Sequence, residues 1–330
     1  MTDALPIVVR LNAVIVAVTD ETPRILTVSG EKPPSDHPPQ DGLDALPFGP
    51  LDTAHDRTLE RGLRRWVRDQ TGLDLGYVEQ LYTFGDLNRE TGEESRILSV
   101  AYLALVREGH VSGSGDARWK DYYAFFPWED RRVDPSPAVD GAVTAAFTRW
   151  EQAIPDSAIR LQRRDRAGIN FGLHGSAWDG YRVLERYEQL YEFGLAPEAR
   201  RDRLLRGEEV DGMPEETIAG APMVFDHRRI AATALGRLRG KLKYRPVFFE
   251  LLPDTFTLSQ LQGVVEALSG VRLHKQNFRR FVDRGGLVEP TGAFDTRTGG
   301  RPAELFRFRR DVLRERPAPG MGLPAVRLTP

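Results

Sequence analysis

Apolar and polar positions alternate through residues 6–18 and again through 24–29, with the polar stretch "TDETP" between them, a pattern that predicts two strands joined by a turn. A polar, proline-rich loop follows, "SGEKPPSDHPPQDG". The period then lengthens: Leu59, Leu63, Trp66 and Val67 recur at helical spacing between Thr58 and Gln70, and Gly72 provides a stop. "LPFG" before and "TG" after therefore read as a loop leading into a helix and its end. "YVEQLYTFGD" and "RILSVAYLALV" return to alternation, as two strands flanking the polar hairpin loop "NRETGEES". Residues of about 130–220 change character and read as a helical insertion, carrying "DGYRVLERYEQLYEFGL" and "EARRDRLLRGEEV". A helix from Asp226, a suitable N-cap, to Lys243 ends before Pro246.

From Thr257 the order is helix, short turn, helix, strand, polar loop, strand, which is the order of a winged helix-turn-helix. In its second helix Phe278, Phe281 and Val282 fall on one face. Lys275, Gln276, Asn277, Arg279 and Arg280 fall on the others, where Arg and Gln suit phosphates and base edges. Thr257, Ser259 and Gln260 at the start of the first helix and Arg301 in the wing complete the expected DNA contacts. Charge sharpens this picture. The whole chain of 330 residues has a formal net charge of −2, yet Val271–Arg316 holds twelve basic residues against six acidic ones. A basic face confined to one module is what phosphate binding requires.

The remaining composition mainly excludes. With no cysteine there are no disulfides, thiolate metal sites or cysteine nucleophiles. The six histidines are scattered without metal-ligand spacing. No apolar run is long enough to span a bilayer, and the first one, broken by Arg10 and Asn12, lacks the features of an export signal, so a cytoplasmic location is expected.

"LPFG", "RWVRDQTGL", "YVEQLYTFGDLNR", "SVAYLALV", "FDHRRIAATALGRLRGKLKYRPVFFELLPDTFTLSQLQ", "KQNFRRFV" and "GRPAELFRF" occur in an order that resembles the Nudix-related transcriptional regulators of NAD metabolism. The extra helical segment is similar to that of the longer relatives, the regulators of NAD synthesis found in alphaproteobacteria. The resemblance implies an α+β chain. Residues 1–243 would form a Nudix-like α/β/α sandwich with its insertion and the linking helix of about 226–243, and residues 244–330 the winged helix. It further implies a homodimeric repressor of NAD synthesis genes, reading a palindromic double-stranded operator and sensing ADP-ribose, NAD or ATP, with no cofactor.

Within the box "RWVRDQTG" the three carboxylate positions of the catalytic Nudix pattern hold Trp66, Asp69 and Gln70. Hydrolysis of a pyrophosphate needs several carboxylates on hard divalent cations, so no catalytic or metal residues are assigned and the domain is expected to sense its nucleotide without cleaving it. Trp66, Phe84, Asp86, Arg89 and Arg96 are the expected ligand contacts; Trp66 and Phe84 have equally simple roles as core aromatics. The alternative is a nucleotide-diphosphate hydrolase with metal ligands from elsewhere, such as Glu60, Asp69, Glu79, Glu93 or Glu94.

Overall fold

The structure, a computed structural model, describes residues 6–29, 42–85, 95–133, 137–152, 155–208, 210, 220–296 and 302–315. Its secondary structure follows the expected periodicities. β1 (Ile7–Thr19) and β2 (Thr22–Ser29) are joined by a turn in which Asp20 and Glu21 both adopt left-handed backbone angles, φ 49° and 57°. Two short strands, β3 (Asp44–Ala45) and β4 (Phe48–Pro50), precede α1 (Leu59–Thr71). Thr58 caps α1 by accepting the Arg61 N–H, and Gly72 ends it at φ 73°. β5 (Tyr77–Phe84), β6 (Arg96–Leu105) and β7 (Arg118–Asp121) complete the sheet. Its order is β3-β2-β1-β6-β5, with β4 pairing β1 and β7 pairing β2. β1 and β6 run parallel from the Ile7–Arg96 pair to the Val16–Leu105 pair.

The chain divides into two compact units. One unit comprises residues 1–16, 24–127 and 183–234; the other 17–23, 128–182 and 235–330. The helical insertion is thereby split. After the one-turn α2 (Tyr122–Phe125), its first helices, α3 (Pro137–Gln152) and α4 (Ser157–Phe171), belong with the C-terminal elements. The later pair, α5 (Val183–Glu192) and α6 (Pro197–Leu205), belongs with the sheet.

In the first unit, successive β1 residues point to opposite faces. Leu11, Ala13 and Ile15 pack with Leu63 and Val67 of α1, while Arg10 and Asn12 point the other way. The start of α7 (His227–Tyr244) is anchored by Arg228, whose buried guanidinium donates to the Phe125 carbonyl and pairs with Glu198 of α6 at 3.2 Å. Removing either partner would strand a charge in the interior.

In the second unit, α8 (Leu258–Ser269) and α9 (Lys275–Gly285) precede the antiparallel pair β8 (Val288–Asp295) and β9 (Ala303–Phe308), followed by the one-turn α10 (Val312–Glu315). Phe256 adds a third strand position through reciprocal backbone hydrogen bonds with Phe306, at 2.9 and 2.8 Å. Phe249 stacks on Phe308 at 4.3 Å beneath them. Arg239 of α7, buried, ties the end of α8 to the insertion by donating to the Leu268 carbonyl, the Gly180 carbonyl and Glu129.

Candidate functional site

The altered box is the natural starting point, because its side chains turn inward on the protein itself. Gln70 meets β4 with both ends of its amide: the Phe48 N–H donates to Gln70 Oε1 at 3.0 Å, and Gln70 Nε2 donates to the Phe48 carbonyl at 2.9 Å. It thus satisfies a backbone edge that a glutamate, lacking a donor, would serve only by half. Trp66 donates its indole N–H to the Pro50 carbonyl at 2.8 Å. It also packs so tightly on Gly49 that a Cβ there would lie 2.1 Å from the ring. Arg65 covers the Trp66 ring at 4.9 Å and pairs with Asp56 at 2.9 Å, which holds the Asp56 carboxyl below its ordinary range. Gln70 and Trp66 therefore fasten the segment around β4. Among the described residues no group of three or more acidic or histidine side chains is placed to hold a metal.

Of the other expected ligand contacts, Phe84 is buried with the Arg229 guanidinium 5.3 Å over its ring, and Arg96 donates to the Gly85 carbonyl at 3.0 Å. Asp86 and Arg89 lie outside the described residues, as do Glu93 and Glu94. What sequence reasoning missed lies on the opposite face of β1. His227, fully buried, sits 4.9 Å from Phe48 and 5.8 Å from Phe225. Arg10 reaches over both phenylalanine rings, at 5.3 and 5.0 Å. His227 Nδ1 accepts the Leu46 N–H at 3.0 Å, which assigns the ring proton to Nε2. Burial, then the Arg10 and Arg201 charges, push its pKa well below the ordinary value, so the ring is neutral at pH 7.

That Nε2–H has no partner among the described residues, nor has either end of the buried Asn12 amide, two residues along β1 from Arg10. Buried donors of this kind cost roughly 1–3 kcal/mol each when unmet. The available signal was the polar pair Arg10 and Asn12 interrupting an apolar strand; His227, directly after the N-cap, read as structural.

The second unit carries the other chemistry. α9 buries Phe278 and Val282 and leaves Lys275, Gln276, Asn277, Arg279 and Arg280 exposed. Phe281, expected in the core, is only half-buried, and it lines a cavity of about 390 Å³ with Arg272, His274, Asn277, Arg280 and Arg284. Asn277 accepts from Arg280. Thr257 and Gln260 form a reciprocal capping box at the start of α8, so these two side chains position the helix, while Ser259 beside them is exposed. Arg301 lies outside the described residues.

Residues 248–308 match the NrtR DNA-binding winged helix domain. That match is confined to the C-terminal domain. A 129-residue stretch, 39% of the chain, is 32% identical to the ADPR responsive transcriptional repressor NtrR of Acinetobacter baylyi, and spans about half the length of that relative. The fold as a whole is similar to that of Shewanella oneidensis NrtR in complex with a 27mer DNA, with a TM-score of 0.54 and 22% identity over 92% of this chain and 94% of that one. It is also similar to a MutT/nudix family protein from Enterococcus faecalis, at a TM-score of 0.52 and 14% identity, covering 94% and 89% of the two chains. These likenesses show the α+β fold, and the family match is confined to the winged helix domain. No helix among the described residues is long and apolar enough to cross a membrane.

Proposed function

We propose that this protein is a DNA-binding transcriptional repressor of NAD synthesis genes, whose Nudix-like domain senses ADP-ribose without hydrolysing it. The observation that carries the DNA reading is α9, an exposed basic helix in the domain matching the NrtR winged helix. Paired reading heads in a homodimer would suit a palindromic operator, and the setting is cytoplasmic. ADP-ribose is favoured over NAD and ATP by the name of the Acinetobacter relative. Arg10, Asn12, Phe48, Phe225 and His227 are the residues we assign to the nucleotide. The use of Gln70 and Trp66 as internal fasteners favours sensing over hydrolysis.

The coupling is reciprocal by thermodynamic necessity: a nucleotide that weakens DNA binding is itself bound more weakly by the DNA-bound form, by the same factor. Isothermal titration of the protein with ADP-ribose, NAD and ATP tests the sensor. Binding of ADP-ribose that is weakened by Asn12→Ala supports the reading, and release of AMP in the presence of magnesium refutes it.

A further inference from the structure

The turn between α8 and α9 contains an arginine outside the expected set of DNA contacts. Arg272 is exposed and stands at the edge of the basic cavity shared with His274, Arg280 and Arg284. Two carboxylates hold it. Glu266 is buried, and accepts the Leu273 N–H at 2.9 Å, Gln262 Nε2 at 2.7 Å and Arg272 Nη1 at 2.8 Å, so it is an integral part of the turn. Glu21 is different. It is an exposed residue from the β1–β2 turn, with its Oε2 3.2 Å from the same Nη1.

Glu21 is placed by its backbone as well as by its side chain. The consecutive left-handed residues Asp20 and Glu21 define the turn. Gly263 of α8 admits it closely, since a Cβ there would lie 3.1 Å from Glu21 Cγ, and Arg132 donates to the Glu21 carbonyl. A carboxylate on an exposed arginine at the rim of a cationic cavity occupies a donor that a phosphate oxygen would use. The inner pair with Glu266 is fixed by three donors. The outer pair is solvated and weak enough to exchange, as exposed ion pairs are.

We propose that Arg272 is a DNA-phosphate contact and that Glu21 competes with the phosphate for it. The inference rests on the DNA-binding reading above. It also gives β1 a part in regulation, because the strand that ends at this turn carries Arg10 and Asn12 further back along its length.

The test is fluorescence anisotropy of the full chain on two duplexes, one from upstream of its own gene and one of scrambled sequence, across a salt series. Wild type, Glu21→Gln, Arg272→Ala and the double variant are compared, with thermal melts to confirm folding. Glu21→Gln should tighten both duplexes by about threefold, and Arg272→Ala should weaken both and reduce the log–log salt slope by about one. In the Arg272→Ala background, Glu21→Gln should change nothing. An unchanged or weaker Glu21→Gln variant, or a gain that persists without Arg272, overturns the competition while leaving the regulator reading intact. Absence of salt-dependent binding by the wild type overturns both.

Discussion

α1 and α9 are both short amphipathic helices rich in arginine, and they use their polar faces in opposite ways. On α1, Arg64 donates to the Leu75 and Gly76 carbonyls, Arg65 pairs with Asp56, Trp66 holds Pro50, Arg68 pairs with Asp74 and Gln70 clasps Phe48. On α9, Lys275, Gln276 and Arg279 stand exposed without a partner among the described residues. A polar side chain that meets the chain's own backbone is spent on the fold, whereas one left in water stays available to an external partner. The first helix turns its polar groups inward, and the second leaves Lys275, Gln276 and Arg279 in water.

The contrast between the two helices is sharpest at Gly49. Gly49→Ala would drive a methyl into the Trp66 ring and should cost about 3 kcal/mol in chemical denaturation, as overpacked sites do; Trp66→Leu in the same chain should recover part of the loss. A fully stable Gly49→Ala protein would mean that the loop is not fastened as described. On the reader, the effect should reverse in kind. Arg279→Ala should change stability by less than about 0.5 kcal/mol but weaken operator binding by roughly 1–3 kcal/mol if Arg279 reads a base. A phosphate role would instead weaken every sequence alike.

A smaller effect distinguishes the buried face of β1. Because the folded pKa of His227 lies below its unfolded value, the unfolded chain takes up a proton that the native ring refuses. On this account stability is flat above about pH 6.5, the unfolded value, and falls as pH drops below it. His227→Gln should remove that part of the decline in melting temperature, and an unaltered pH profile would show the ring to be accessible to protons in the native state.

These helices also mark how far the sequence could be read. The limits of α1, α7, α8 and α9 follow from apolar spacing and from local caps, such as Thr58 with Gly72 and Thr257 with Gln260, which neighbouring residues fix. The loss of carboxylates from the box was equally plain. The use found for their replacements was not, because Gln70 meets Phe48 from 22 positions away and only the fold brings them together. The same holds for His227, whose partner Leu46 is 181 residues distant. The insertion read as helical throughout, and nothing in helical periodicity indicates that its two halves join different units.

On the proposed reading, a nucleotide held by the Nudix-like domain is sensed and not consumed. The most direct measurement titrates ADP-ribose into the protein bound to fluorescent operator DNA with magnesium present, and then assays the same sample for AMP. DNA affinity should fall by about tenfold, within the usual range of allosteric coupling, while the ADP-ribose remains intact. Unchanged DNA affinity with steady release of AMP would contradict it.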